Sequence, residues 1–225
     1  MLQSLRPFLT KILNPIARNL NINPNIVTVI SPFVALLAAY GFAKHLLILA
    51  TLAILFSGFL DVVDGAVARY HDRSSKFGAF LDSTMDRFAD AIIYIGIIFG
   101  GYCDWFVGVL AIHSAICVSY VRSRAESQGV ECNIGIAERA VRMIILMIGS
   151  LIGYFAGDIY FTYIIYILVV LSYFTVGQRI FHVWRQLNDW TGKSWKNRKR
   201  YCKIRKKLKS GFRYYFWRKR KRSLW

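Results

Sequence analysis

From residue 61 the chain reads Asp-Val-Val-Asp-Gly-Ala-Val-Ala-Arg, followed at four-residue steps by Gly78, Asp82 and Asp86, with apolar sequence on both sides. Four carboxylates thus fall inside stretches otherwise suited to a bilayer. Each costs about 2.5–3.5 kcal/mol at the centre of a membrane helix, so four standing alone there would cost roughly 10 kcal/mol. A fold that keeps them must bring cations to them, and at this spacing the best candidate is a metal.

The chain of 225 residues is 56% hydrophobic, with a mean hydropathy of +0.38, too apolar for an ordinary soluble domain. Its net charge of +18 is unevenly placed. Residues 193–225 hold 16 Lys or Arg and no acid, which leaves 14 basic residues against all 12 acids in the rest. The body is a nearly neutral membrane unit with a cationic tail. Cys103, Cys117, Cys132 and Cys202 form no CxxC pair, and the four histidines form no HExxH, so zinc and redox frameworks lack support. Residues 1–20 lack the continuous apolar core of a cleavable signal.

Leu2, Leu5, Leu9, Ile12, Leu13, Ile16 and Leu20 recur at helical spacing. Residues 1–22 therefore read as an amphipathic helix lying in the membrane interface. Residues 23–190 read as a membrane domain, with spans near 25–43, 46–69, 76–101, 104–127, 137–157 and 159–186. The expected fold is all-α: a polytopic membrane protein of six transmembrane helices behind an interfacial one. Arg69, Arg73, Lys76, Arg122, Arg124, Arg139 and Arg142 fall on one set of connections, whereas the opposite turns offer only Lys44 with Asp104 and Asp158. The positive-inside bias then puts the four aspartates and both termini on the cytoplasmic side of the cell membrane. The tail, 191–225, interleaves its charges with Tyr201, Phe212, Tyr214, Tyr215, Phe216, Trp217 and Trp225. Such a segment after a last span suits anionic lipid headgroups better than nucleic acid.

At about 100° per residue, Asp61 and Asp64 share one helix face, and Gly78, Asp82 and Asp86 form a stripe on the next helix. A short link makes the two helices antiparallel neighbours, so the acid pairs can oppose each other. Ligands that are all oxygen suit magnesium or manganese, and four carboxylates suit two ions. Two ions can clamp a diphosphate and stabilise the oxygens entering and leaving phosphorus. Gly65, Ala68 and Gly78 leave the backbone open to a flat base and a diphosphate, and Arg69 is placed to meet a phosphate. Small residues also serve close helix packing, which leaves the acids unexplained.

The pattern resembles the signature of the CDP-alcohol phosphotransferase family, Asp-x2-Asp-Gly-x2-Ala-Arg-x8-Gly-x3-Asp-x3-Asp, met at Asp61, Asp64, Gly65, Ala68, Arg69, Gly78, Asp82 and Asp86. The opening Pro24-Asn25-x2-Thr28 is similar too, which puts Asn25 and Thr28 on the CDP-lipid side, so the likeness covers residues 1–190 or so and leaves out the tail. The resemblance implies a transferase of phospholipid biosynthesis. Cytidine of a CDP-lipid would sit near the small-residue face, an alcohol would attack the lipid-side phosphorus, and CMP would leave. By the same likeness Asp61, Asp64 and Asp82 ligate metal, Asp86 completes the centre and takes the alcohol proton, and the enzyme is a homodimer.

Three segments resemble the branch that makes phosphatidylinositol phosphate and archaetidylinositol phosphate. They are Ser-Lys-Phe-Gly-Ala-Phe-Leu-Asp-Ser (75–83), Ser-Tyr-Val-Arg-Ser-Arg-Ala-Glu (119–126) and Glu-Arg-x-x-Arg (138–142). The likeness brings Ser75 to the CDP-lipid side. Arg122, Arg124, Arg142 and Arg179, with Arg139, fall to the phosphate of a phosphorylated polyol, myo-inositol 1-phosphate. Arginine pairs well with phosphate oxygens, although positive-inside anchoring accounts for some of these positions too. Glycerol 3-phosphate is the rival acceptor, and CDP-archaeol and CDP-diacylglycerol are not distinguished by any residue. A cation transporter also places acids in membrane helices, but near the midplane and within repeated halves; this chain shows neither.

Overall fold

Pro24 opens the first described helix. Proline lacks the N–H that a first turn leaves unpaired, and its ring presets the backbone angle, so α1 runs Pro24–Ala43. The structure, a computed structural model, describes residues 24–70 and 75–188, apart from the side chains of Pro24 and Arg69. The helix expected at 1–22 and the tail expected at 191–225 lie outside the described residues. Five more helices follow: α2 Leu47–Tyr70, α3 Lys76–Phe99, α4 Trp105–Ser127, α5 Arg139–Ala156 and α6 Asp158–Asn188. Each of the six expected spans lies on one of them, and the described residues contain no strand. The fold is an all-helical, polytopic membrane one.

Five helices (α1, α2, α4, α5 and α6) are long and apolar enough to cross a bilayer. α3 matches α2 in length at 24 residues, about 36 Å at the helical rise. It is set apart by charge, because Lys76, Asp82, Asp86, Arg87 and Asp90 all lie on it. A helix this polar needs partners, and α3 packs between α1 and α4 while α1 also lies against α2 and α2 against α5.

Small residues let these helices approach. Ala35 and Ala38 of α1, Ala50 and Ala53 of α2 and Ala89 of α3 are buried. A Cβ built on Gly96 would come within 2.7 Å of the Ala39 Cβ. Outward, large apolar side chains stay uncovered: Phe33 is 66% exposed, Phe99 78% and Phe155 81%. Lipid satisfies such a surface, since hydrocarbon asks only that backbone groups be bonded within the helix.

One end of the bundle is closed by rings. Phe42 stacks on Phe161 at 5.4 Å, and Tyr102 meets the same ring edge-on at 5.1 Å. The Thr162 hydroxyl donates to the Tyr102 carbonyl at 2.7 Å. The other end, where α2 finishes and α3 and α5 begin, holds the signature aspartates. The chain divides into two compact units, Met1–Arg179 and Ile180–Trp225, and these polar groups all belong to the first.

Candidate active site

Two rows of acids lie at this end, one on α2 and one on α3, and Arg139 links them through Asp61 and Asp86. On α2, Asp64 is buried and accepts a 2.8 Å hydrogen bond from the Thr28 hydroxyl of α1. One turn earlier, Asp61 accepts from Ser31 of α1 at 3.2 Å, and Ser31 in turn pairs with Ser57 at 3.0 Å. α1 thus supplies a hydroxyl to each acid of the α2 row.

The α3 row is held by its cap and by basic neighbours. Ser75 is the N-cap, its hydroxyl accepting from the Gly78 N–H at 2.8 Å. A Cβ on Gly78 would meet Asn25 Oδ1 and Ser75 Oγ, each at 3.1 Å, so glycine keeps the start of α3 close to the start of α1. Asp82 is half-buried, and its charge acts on both Asp61 and Asp64. Asp86 is flanked by Arg87, whose Nη1 lies 3.4 Å from Asp86 Oδ2 and also donates to the Ser83 carbonyl.

Between the rows lies a guanidinium. Arg139, the first residue of α5, points Nη1 at Asp61 Oδ2 and at Asp86 Oδ1, the latter at 2.8 Å. Its Nε donates to Asp90 Oδ1 at 3.2 Å. Expected on an acceptor phosphate, Arg139 in this structure bridges α2 and α3 through their carboxylates. Among the described residues no three acids close on a common point as metal ligands do.

Asp90 was not singled out from the sequence, although it continues the Gly78, Asp82, Asp86 stripe by one further step of four. It is buried and takes a second arginine, Arg142, whose Nη2 lies 2.6 Å from Asp90 Oδ2. Arg142 is fully buried and also donates to the Ala137 carbonyl at 3.0 Å.

Three further arginines were expected on the acceptor phosphate. Arg179 is buried and donates from Nε to the Ile134 carbonyl at 2.8 Å and from Nη1 to the Val118 carbonyl at 2.5 Å. Gly135, at φ 128°, lets the α4–α5 connection fold onto that side chain, for a Cβ there would come within 3.3 Å of Arg179 Nε. Arg122 is exposed, bonded to Glu126 at 2.9 Å and to Asn133 at 3.0 Å. Arg124 is exposed on the same helix end, and the charges of Arg122 and Arg142 both act on Arg179. The structure thus gathers Asn25, Thr28, Ser75, Gly78 and the four aspartates where α1, α2 and α3 meet, with Gly65 and Ala68 within one turn of Asp64 on α2. Arg139 pairs with Asp61, Asp86 and Asp90 and Arg142 with Asp90, whereas among the described residues Arg122, Arg124 and Arg179 form no ion pair with either row. Arg69 lies on α2 beside them, its side chain outside the described residues.

The family model for CDP-alcohol phosphatidyltransferase matches residues 21–177, most of the chain. The chain belongs to the CDP-alcohol phosphatidyltransferase family. It is a transferase of phospholipid biosynthesis, and the signature read from Asp61 to Asp86 falls inside the matched region. Among its relatives in that family, an archaetidylinositol phosphate synthase of Methanothermobacter thermautotrophicus is 46% identical over 187 residues, covering 83% of this chain and 96% of the relative. Another, from Pyrococcus horikoshii, is 40% identical over 191 residues, covering 83% and 98%. The fold is similar to that of a Mycobacterium tuberculosis phosphatidylinositol phosphate synthase crystallised with CDP-DAG bound, at a TM-score of 0.70 and 27% identity, covering 77% of this chain and 94% of that one. The same mycobacterial enzyme, in complex with manganese and citrate, matches with a TM-score of 0.68.

Proposed function

We propose that this phosphatidyltransferase moves an archaetidyl or phosphatidyl group from CDP-archaeol or CDP-diacylglycerol to myo-inositol 1-phosphate. The products are CMP and archaetidylinositol phosphate or its ester-lipid counterpart. The observation that carries this reading is the contact of two facing acid rows with arginines from the start of α5, Arg139 on Asp61 and Asp86 and Arg142 on Asp90. A diphosphate needs the first, and an acceptor that brings its own phosphate suits the second. The names of the two archaeal relatives and the CDP-DAG in the mycobacterial structure support it.

Asp61, Asp64, Asp82 and Asp86 would hold divalent magnesium or manganese, two ions by their number of carboxylates. The fit rests on the donor set, all oxygen and suited to hard cations, and is supported by the positive Arg139 guanidinium lying between Asp61 and Asp86. The manganese in the mycobacterial structure agrees with this. When bound, such ions neutralise the diphosphate and stabilise the oxygens that enter and leave phosphorus.

The chain's own residues do the rest. Thr28 and Ser31 orient Asp64 and Asp61. Gly65, Ala68 and Gly78 keep a flat face for cytidine, beside Asn25, Ser75 and Arg69. The acceptor hydroxyl attacks the lipid-side phosphorus, the bond to the CMP oxygen breaks, and Asp86 takes the hydroxyl proton. Arg122 and Arg124 meet the acceptor phosphate from the surface, with Arg139, while buried Arg142 and Arg179 hold fixed positive charge behind it. The site faces the cytoplasm, both termini lie on that side, and the enzyme works as a homodimer, its tail on anionic headgroups.

The test is CMP release from CDP-lipid by purified protein across a panel of alcohols. Release with inositol 1-phosphate and not with free inositol or serine is expected. Release with glycerol 3-phosphate alone would reassign the acceptor.

A further inference from the structure

Arg139 touches more of the site's acids than any other described side chain. One nitrogen, Nη1, serves both Asp61 Oδ2 and Asp86 Oδ1, so it stands on the oxygens that face each other across the two rows. Its position owes nothing to its own helix. At the first residue of α5 a cation sits at the positive end of the helix dipole, and only the carboxylates of α2 and α3 make the placement favourable. Arg142, one turn further on, is differently held: it is fully buried, anchored on both Asp90 and the Ala137 carbonyl. Arg139 keeps a side-chain exposure of 22% and follows directly on the α4–α5 connection. Of the two, only Arg139 reaches solvent.

We infer that Arg139 is a built-in counter-ion that occupies the metal-facing carboxylates and exchanges with divalent ions when they bind. The inference rests on the reading that these acids hold such ions. N–H donation and metal coordination compete for the same oxygens of Asp61 and Asp86, and a divalent ion beside the guanidinium is repelled by it. Arg139 therefore leaves Nη1's position on metal entry, retaining Asp90 through Nε, and its charge becomes available to an incoming phosphate. Before a metal binds, Arg139 offsets part of the rows' negative charge, at Asp61 and Asp86, where bare carboxylates at membrane depth are costly. Arg139 is thus a positioning residue whose effect is read first in metal affinity.

The experiment measures Mn2+ binding by loss of the free-ion electron paramagnetic resonance signal, on wild type and Arg139→Gln in detergent, with folding checked by circular dichroism. Removal of the competing charge is expected to tighten Mn2+ binding by about tenfold or more. In chelator the variant should melt below wild type and gain more from saturating Mn2+. Equal or weaker binding by a folded variant would overturn the inference, whereas no Mn2+ uptake by either protein would overturn the metal assignment itself. A second measurement needs only wild type. Phenylglyoxal modification mapped by peptide mass spectrometry should rise severalfold at Arg139 on adding Mg2+ and stay flat at Arg142. Unchanged or lower modification at Arg139 with Mg2+ would contradict the exchange.

Discussion

Asp90 and Arg142 form a buried ion pair, Oδ2 to Nη2 at 2.6 Å, that ties α3 to the first turn of α5. Removing one partner strands the other's charge in the interior, which typically costs about 3–5 kcal/mol. Asp90→Ala should therefore lower the melting temperature of the purified protein sharply. Joint replacement by apolar residues of similar size should recover much of that loss, a coupling that a double-mutant cycle reads directly.

Ser75 and Gly78 act as a unit at the start of α3. Ser75→Ala removes the cap and should cost about 1 kcal/mol of stability. Gly78→Ala brings a methyl against Asn25 Oδ1 and Ser75 Oγ, both at 3.1 Å. It should raise KM for CDP-lipid while leaving KM for the acceptor near its normal value. Steady-state kinetics with each substrate varied in turn checks this.

Cys103 lies in the connection between α3 and α4, at the end away from the acids. Burial, with a smaller contribution from Asp104, pushes its thiol up to about 11. The thiolate is the reacting form, so at pH 8 only about one molecule in a thousand is poised to react. Maleimide should modify Cys103 slowly at pH 8 and faster as pH climbs toward 11. Fast labelling at pH 8 would show that the thiol is not enclosed as described.

Asp86→Asn keeps the size of the side chain and removes its proton-accepting charge. CMP release should fall by at least about 100-fold, the lower range for a general base. Binding of CDP-lipid, followed by equilibrium partition, should persist. Chelation of divalent ions should likewise stop CMP release, and Mg2+ or Mn2+ should restore it.

The helices were legible because a span is a property of one stretch of chain. The run Ile159–Gln178 carries no charge, and it falls within α6. The signature acids could be placed on facing stripes from helical periodicity and the short α2–α3 link. What the sequence withheld depends on tertiary contact. Arg139 and Asp61 are 78 residues apart, and nothing in the local pattern of α5 says which acids its first residue will meet. Asp90 was in view as the next step of the stripe but sits among apolar neighbours, where a single acid invites no pairing until α5 is laid beside it. The burial of Arg142 and Arg179 was hidden for the same reason, since an arginine at the end of a span reads alike whether it faces water or the loop that folds over it.

The central claim is that the rows Asp61–Asp64 and Asp82–Asp86 hold divalent ions. Anomalous diffraction from crystals soaked in manganese tests it most directly. The account predicts anomalous density between the two rows, with the Arg139 guanidinium withdrawn from Asp61 and Asp86. Well-ordered acids with no anomalous peak between them, and Arg139 still bridging them at saturating manganese, would contradict it.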